Sequence, residues 1–144
     1  MVETALGIFV FDAIIQNDDR RDGTPNCLVL GEQLRIIDHE LAFPLRLLRS
    51  VPGWQPPWVL GSLQRFTAPG AHIFREKLRR HAVDLTTVRA AWASLRDGRI
   101  EAYANAVPVE WAAAGADVDE AIRLIKDARD RIDACLNEIR RVLT

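Results

Sequence analysis

The sequence predicts a mostly helical α+β domain in which one small β-hairpin carries the candidate functional residues. Residues 4–16 are apolar on most sides, which is typical of a buried central helix. Two short apolar runs, 27–30 and 34–38, flank a connection that contains Gly31, as expected of a hairpin. Beyond residue 59 most apolar residues recur at helical spacing, so the rest of the chain is predicted to be helical.

Length and composition limit the classes of protein to which this chain can belong. Its 144 residues suffice for a single domain, 1–144, with a real core. The net charge of -1 gives no general attraction to nucleic acid or to an anionic membrane. Cys27 and Cys135 lack Cys-x-x-Cys spacing, Glu3 stands where a basic leader would lie, and no apolar run reaches the ~18 residues of a membrane span. We expect a soluble, cytoplasmic protein that binds neither nucleic acid nor membrane.

Residues 17–26, Asn-Asp-Asp-Arg-Arg-Asp-Gly-Thr-Pro-Asn, form a polar loop between the first helix and the hairpin. If the two strands pair, Asn26 and Asp38 lie at the same edge of the hairpin, with Asp19 beside them. Mg²⁺ prefers oxygen ligands and usually takes only one or two carboxylates from a protein. We therefore predict that Asn26 and Asp38 bind Mg²⁺ and that Asp19 is a base that orients a hydroxyl for phosphoryl transfer. Arg20 could balance the local negative charge.

The alternatives to a kinase-like metal site in this loop are an EF-hand calcium loop and a solvated turn. No register of residues 17–26 supplies the acids, glycine and glutamate of an EF-hand calcium loop. A solvated turn fits the composition alone, but Ile37-Asp38-His39 follows at the distance that a kinase requires and favours a kinase-like site. His39 is assigned to the cofactor-binding end of the hairpin as a structural residue beside the metal ligand. A role as ligand or base is the alternative.

These residues resemble the HipA-like kinases, a family that shares its catalytic lobe with the phosphoinositide kinases and, more distantly, with protein kinases. The match consists of Phe-Asp-x-x-x-x-Asn-x-Asp-Arg over residues 11–20, Asn26 before a strand, and Ile-Asp-His at 37–39. The resemblance implies a kinase C-terminal lobe that uses Mg²⁺ and ATP. It implies that Asn17, Asp19 and Arg20 form the catalytic motif, with Asp19 as base, and that Asp38 replaces the Asp of the protein-kinase Asp-Phe-Gly motif.

The chain departs from the family pattern at one position. Related kinases usually place the metal-binding Asn five residues after the catalytic Asp, where this chain has Thr24, and Asn26 lies seven residues after Asp19. Either the loop is two residues longer or the metal site is weakened.

A kinase also needs an N-terminal lobe with a glycine-rich loop and a strand-borne Lys. The eight glycines of this chain show no Gly-x-Gly-x-x-Gly spacing, and neither Lys77 nor Lys126 lies in a predicted strand. We expect a C-terminal lobe alone, whether an excised fragment, a misassigned start, a split kinase or a lobe retained for protein binding. As a kinase it would phosphorylate a hydroxyl of a protein or small molecule; the alternative is a non-catalytic protein-binding module. An apolar face around the hairpin and the start of the first helix predicts self-association or a partner that bears the missing lobe.

The remaining segments are predicted as connections and helices. Asp12 either bonds the backbone of the polar loop or is a partly exposed helix carboxylate. The Pro-rich loop 51–58 packs its two Trp side chains on the domain or binds a peptide. Helices are predicted over 41–50, 69–81, 84–98, 100–107 and 117–142, the last opened by an Asp-x-x-Glu cap at 117–120 and either packed within the domain or paired with a partner. His72 and His81 are interpreted as ordinary helix residues.

Overall fold

The structure, a computed structural model, describes residues 2–43, 50 and 52–144. The described part is mostly helical with one two-stranded antiparallel hairpin, which confirms the predicted α+β class. In chain order the elements are helix α1 (Val2–Ile15), strands β1 (Cys27–Leu30) and β2 (Gln33–Ile36), a 3-10 helix (Gln64–Thr67), helices α2 (Arg75–Arg79), α3 (Thr86–Ala93) and α4 (Asp97–Asn105), a second 3-10 helix (Val109–Ala114), and helices α5 (Gly115–Asp130) and α6 (Ile132–Leu143). The helix predicted over 41–50 falls largely on residues 44–49, which lie outside the described residues.

Helix α1 is the central element of the fold, as its apolar sequence predicts. It is in contact with α2, α5 and α6, and most of its side chains are buried. Full burial of an aliphatic or aromatic side chain contributes about 1.5–3 kcal/mol, so this helix anchors the core. It ends where Gln16 adopts a left-handed φ of 64° and the Asn17 amide donates to the Asp12 carbonyl at 2.9 Å. This Schellman-type ending turns the chain back over the end of the helix and sets the start of the polar loop.

The two strands pair as the sequence predicts, but the second strand is Gln33–Ile36 rather than 34–38, because Gln33 pairs with Leu30 across a two-residue turn. Cys27 pairs with Ile36, and the ladder continues beyond the strands because the Ile37 amide donates to the Asn26 carbonyl at 3.0 Å. Asn26 and Asp38 therefore lie at the same end of the hairpin. Apolar side chains are exposed on both faces of the hairpin, Leu28 and Leu30 on one face and Val29 on the other, and Ile37 beyond the second strand is exposed as well.

Several helix boundaries differ from the prediction. The predicted helix 84–98 ends at Ala93, and Gly98 lies in the first turn of the next helix, α4. The predicted helix 117–142 is two helices, because Arg131 leaves helical geometry at φ -116° and ψ 27°. The apolar stripe continues across this one residue, so periodicity alone does not reveal the break. Helix α5 begins at Gly115 without a side-chain cap, and the predicted Asp-x-x-Glu cap lies inside it.

The proline-rich loop and an apolar groove complete the description of the fold. Trp58, in the proline-rich loop, packs partly buried against the core beneath the Arg131 guanidinium, which lies 5.2 Å from the ring centroid. An apolar groove of about 1100 Å³ lies between α1, α3, α4 and α5. Within the described ranges, no helix has the length and apolarity needed to cross a membrane.

Candidate functional site

Asp12, on the last turns of α1, is the centre of a buried hydrogen-bond network. Its side chain is fully buried. One carboxylate oxygen, Oδ1, accepts from Asn17 Nδ2 at 2.9 Å. The other, Oδ2, accepts from Arg20 Nε at 2.7 Å and lies 3.0 Å from His72 Nε2. The interpretation of Asp12 as a partly exposed carboxylate was therefore wrong. Asp12 does bond the loop backbone, through its carbonyl, which accepts the Asn17 amide, whereas its carboxylate binds side chains.

The charge of Asp12 is stabilised by these donors. Burial alone raises the pKa of the Asp12 carboxyl, because a low-dielectric interior disfavours the ionised form. The hydrogen bonds from His72, Arg20 and Asn17 outweigh this effect and hold the pKa below its ordinary value. The interior therefore contains an ionised carboxylate beside a buried guanidinium.

Arg20 extends from this carboxylate to the hairpin and is itself fully buried. Its Nη1 donates to the carbonyl of Asn26 and, at 3.4 Å, to that of Ile37. Its Nη2 lies 3.2 Å from His39 Nε2. Because a guanidinium only donates, His39 accepts through Nε2 and carries its proton on Nδ1. His39 thus contacts the buried guanidinium from the end of the hairpin, and its assignment as a structural residue stays a prediction.

Arg20 and Asn17, which the family resemblance places in the catalytic motif, are both buried. Arg20 balances the charge of Asp12 in the interior rather than the charge of the exposed loop. Asn17, also buried, donates to Asp12 through Nδ2 and accepts the Asp19 amide through Oδ1 at 3.3 Å. Neither side chain reaches solvent, so both hold the loop in place and neither is exposed to a substrate.

Asp19, the predicted base, is the loop carboxylate that stays accessible while being held in position. Its side chain is 17% exposed. Its Oδ2 accepts from Asn26 Nδ2 at 3.0 Å, and its Oδ1 accepts from the Thr24 hydroxyl at 3.3 Å. The same hydroxyl donates to the Asp19 carbonyl at 2.8 Å. Both oxygens are thus hydrogen-bonded, and Arg21 Nε lies 3.8 Å from Oδ1, so the partly exposed carboxylate is held in a restricted orientation.

A tight turn explains how Asn26 reaches Asp19 despite the longer spacing. The Arg21 amide donates to the Thr24 carbonyl at 3.2 Å, and the Thr24 amide donates back to the Arg21 carbonyl at 3.0 Å. Gly23 adopts a φ of 96° inside this turn, a conformation that favours glycine. The turn folds the extra residues back on themselves and brings the Asn26 amide to the Asp19 carboxylate.

Asn26 and Asp38, the predicted metal ligands, share the end of the hairpin. Both adopt left-handed backbone conformations, with φ of 43° and 55°, which Asn and Asp tolerate better than most residues. Because Asn26 uses its Nδ2 to bind Asp19, its Oδ1 is oriented away from that bond. Over residues 2–43, 50 and 52–144 no group of three or more His, Cys, Asp or Glu side chains could hold a metal. One amide and one carboxylate oxygen still match Mg²⁺, which takes its other ligands from water and phosphate.

His72 belongs to the network and was missed by the sequence analysis. It lies before helix α2 and is buried, 60 residues away from Asp12 in sequence. Its Nδ1 accepts the Phe74 amide at 3.2 Å, so the proton sits on Nε2 and is donated to Asp12. The available signal was a histidine within an apolar segment, which would need a buried partner. His81 is exposed just after α2, where its Nδ1 lies 2.8 Å from the Lys77 carbonyl.

The segment around His72 is also joined to the polar loop through the backbone. The Ile73 amide donates to the Arg20 carbonyl, and the Asp22 amide donates to the Gly70 carbonyl, both at 3.1 Å. Gly70 has a φ of 73°, and a Cβ there would lie 3.1 Å from Asp22 Oδ2. The positive φ favours glycine at this position, and a Cβ would in addition displace the end of the Asp22 side chain.

Comparison of the chain with family models, with curated proteins and with solved structures found no match. The resemblance to the HipA-like kinases therefore stays a prediction drawn from the motifs.

The lowered pKa of Asp12 predicts how stability depends on pH. A carboxyl whose pKa is lower in the folded state stabilises the fold fully above its unfolded pKa of about 4, and this contribution is lost as the pH falls through the folded pKa. Urea denaturation of the wild type and of Asp12→Asn should therefore give a stability difference that is constant from pH 7 to 5. The difference should shrink below about pH 4. A difference unchanged at pH 3 would contradict the assignment.

Proposed function

We propose that this chain is the catalytic lobe of an ATP-dependent phosphotransferase. The observation that carries the proposal is the hydrogen bond of 3.0 Å between Asn26 Nδ2 and Asp19 Oδ2, at the hairpin end that also carries Asp38. Phosphoryl transfer needs a base for the hydroxyl nucleophile beside oxygen ligands for Mg²⁺, and little other covalent chemistry from the protein. The acceptor hydroxyl belongs to a protein or to a small molecule, and the same three residues serve either.

The roles of the residues follow from their positions. Asp19, held by Thr24 and Asn26 and partly exposed, accepts a hydrogen bond from the acceptor hydroxyl and takes the proton as transfer proceeds. Asn26 Oδ1 and the exposed Asp38 carboxylate would hold Mg²⁺, which neutralises charge on the nucleotide phosphates. Asn17 and Arg20 keep the loop and the hairpin aligned from the interior.

The reaction also needs a glycine-rich loop and a lysine to bind the phosphates. Lys77 lies in α2 and Lys126 in α5, and the hairpin is the one sheet of the described part. We propose that a second lobe supplies these groups and contacts the exposed apolar side chains of the hairpin.

Asp38→Asn tests the metal site. Residues that only orient a metal ligand typically contribute about 10- to 100-fold to metal affinity or activity. Because Asp38 is proposed to bind the metal directly, its loss should lower Mg²⁺-dependent ATP turnover by at least about 10-fold. Turnover is measured on the chain assembled with a lobe-bearing polypeptide. Glu40→Gln removes an exposed carboxylate two residues away and serves as control. Equal activity of both variants and the wild type would contradict the assignment.

The second candidate function, a protein-binding module without catalysis, is favoured by the exposed hairpin. Contiguous exposed apolar side chains are unusual on soluble monomers and are commonly covered by association. Both candidates predict association through this surface, whereas only the first predicts Mg²⁺-dependent turnover.

Self-association through the hairpin can be tested with two leucines of nearly equal exposure. Leu30 on the hairpin is 80% exposed, and Leu60, in a different loop, is 82% exposed. We expect sedimentation velocity to show concentration-dependent self-association of the isolated chain, which Leu30→Ser weakens and Leu60→Ser leaves unchanged. A monodisperse monomer at high concentration would show that the hairpin does not mediate self-association.

A further inference from the structure

We propose that His72 is a positioning residue of the site, acting through Asp12 and Arg20 on the hairpin end that carries Asn26 and Asp38. The proposal rests on the function proposed above and assigns to His72 the alignment of the metal-binding residues with Asp19. His72 does not itself face the loop carboxylates. Its influence passes through two buried side chains.

His72 and Arg20 both donate to the same carboxylate oxygen of Asp12. His72 Nε2 and Arg20 Nε lie 3.0 Å and 2.7 Å from the same atom, Oδ2. Two donors on one oxygen restrict rotation of the carboxylate, and the carboxylate in turn orients the planar guanidinium, whose donors have fixed directions. Removing the His72 donor frees Oδ2 to rotate toward Arg20.

The other end of the Arg20 guanidinium contacts the backbone of the hairpin. Arg20 Nη1 donates to the carbonyls of Asn26 and Ile37, the two residues joined by the last hydrogen bond of the hairpin ladder. Asn26 is one predicted ligand, and Asp38, the other, directly follows Ile37. A rotation of the guanidinium therefore displaces the backbone from which both ligands project.

The surroundings of His72 explain why its ring and tautomer are well defined. The ring packs edge-on against Phe9 with centroids 4.8 Å apart, and Phe74 lies at 5.7 Å. The Phe74 amide occupies Nδ1 and leaves the proton on Nε2. Removal of a residue that orients a metal ligand typically costs 10- to 100-fold in metal affinity, so an effect of that size is expected here.

Two variants separate the donor from the ring. His72→Phe keeps an aromatic ring in the cluster and removes the donor, whereas His72→Gln keeps an N–H at similar reach and removes the ring. Affinity for Mn²⁺·ATP is measured by water-proton relaxation, and backbone amide shifts of residues 26, 37 and 38 are measured by NMR. We expect His72→Phe to shift these amides and weaken Mn²⁺·ATP binding about 10-fold or more. His72→Gln should stay within about threefold of the wild type.

The outcomes separate this inference from the proposed function. Wild-type protein that binds no Mn²⁺·ATP would contradict the function, and the amide shifts alone would then decide the positioning role. Unchanged amides and unchanged affinity in His72→Phe would overturn the positioning role while the function stands. If His72→Phe does not fold, the wild-type imidazole decides: ¹⁵N shifts that place the proton on Nδ1 would overturn the proposal, and shifts that place it on Nε2, together with near-wild-type binding by His72→Gln, would support it.

Discussion

Asp12→Asn should destabilise the fold by about 3–5 kcal/mol, the cost of breaking a buried ion pair by removing one partner. The substitution leaves the Arg20 guanidinium buried without a counter-charge. It also replaces one carboxylate oxygen with an amide N–H₂. Because each oxygen of Asp12 accepts hydrogen bonds from two donors, two donors lose their acceptor. A loss of this size is a large fraction of the stability of an ordinary domain.

Urea denaturation at pH 7 measures this effect. The control is Asp133→Asn, which breaks the ion pair between Arg89 and Asp133 on the surface. Exposed ion pairs contribute little because solvent screens them, so this variant should unfold at nearly the wild-type urea concentration. If Asp12→Asn lost no more stability than Asp133→Asn, the Asp12 network would not stabilise the interior.

Asp19→Asn should lower phosphoryl transfer about 100- to 10,000-fold, the usual contribution of a positioned general base. The amide is nearly the same size. Its oxygen can accept the bond from Asn26 Nδ2, and its N–H₂ can donate to the Thr24 hydroxyl, whose own proton goes to the backbone carbonyl of residue 19, so the loop should keep its conformation. It does not accept the proton of the acceptor hydroxyl. The rate is measured as Mg²⁺-dependent ATP turnover by the chain assembled with a lobe-bearing polypeptide.

Asp18→Asn is the matched control for this variant. Asp18 is adjacent in sequence, carries the same charge and has a side chain that is 62% exposed, with Arg65 Nε 3.9 Å from its Oδ2. Its loss should change turnover less than about threefold, because an exposed and solvent-screened charge contributes little. Similar losses in both variants would indicate a general effect of loop charge rather than a base at Asp19.

The order of elements at the site could be predicted from the sequence because it depends on local patterns. The apolar run of α1, the polar residues of the loop and the glycine-containing connection are all read within a few residues of each other. Pairing of the two strands then necessarily brings Asn26 and Asp38 to one end. The Schellman-type helix end at Gln16, in contrast, could not be predicted, because glycine, the residue that usually indicates such an ending, is absent from this position.

The buried network could not be predicted because its members are distant or look like surface residues. Asp12 and Arg20 are charged residues, which are seldom fully buried unless paired. Their pairing depends on the tight loop between them and on His72, which tertiary packing brings from 60 residues away. A single-residue break such as Arg131 likewise leaves the apolar pattern of the neighbouring helices unchanged.

The central claim is that the end of the hairpin binds a divalent metal beside Asp19, and paramagnetic mapping tests it most directly. Mn²⁺ with ATP is added to the ¹⁵N-labelled chain, and broadening of backbone amide signals is recorded. We predict broadening centred on residues 19, 26 and 38, reduced in Asp38→Asn and unchanged in Glu40→Gln, at the weak affinity expected without a second lobe. Broadening spread over other exposed carboxylates, or none near the hairpin end, would contradict the account.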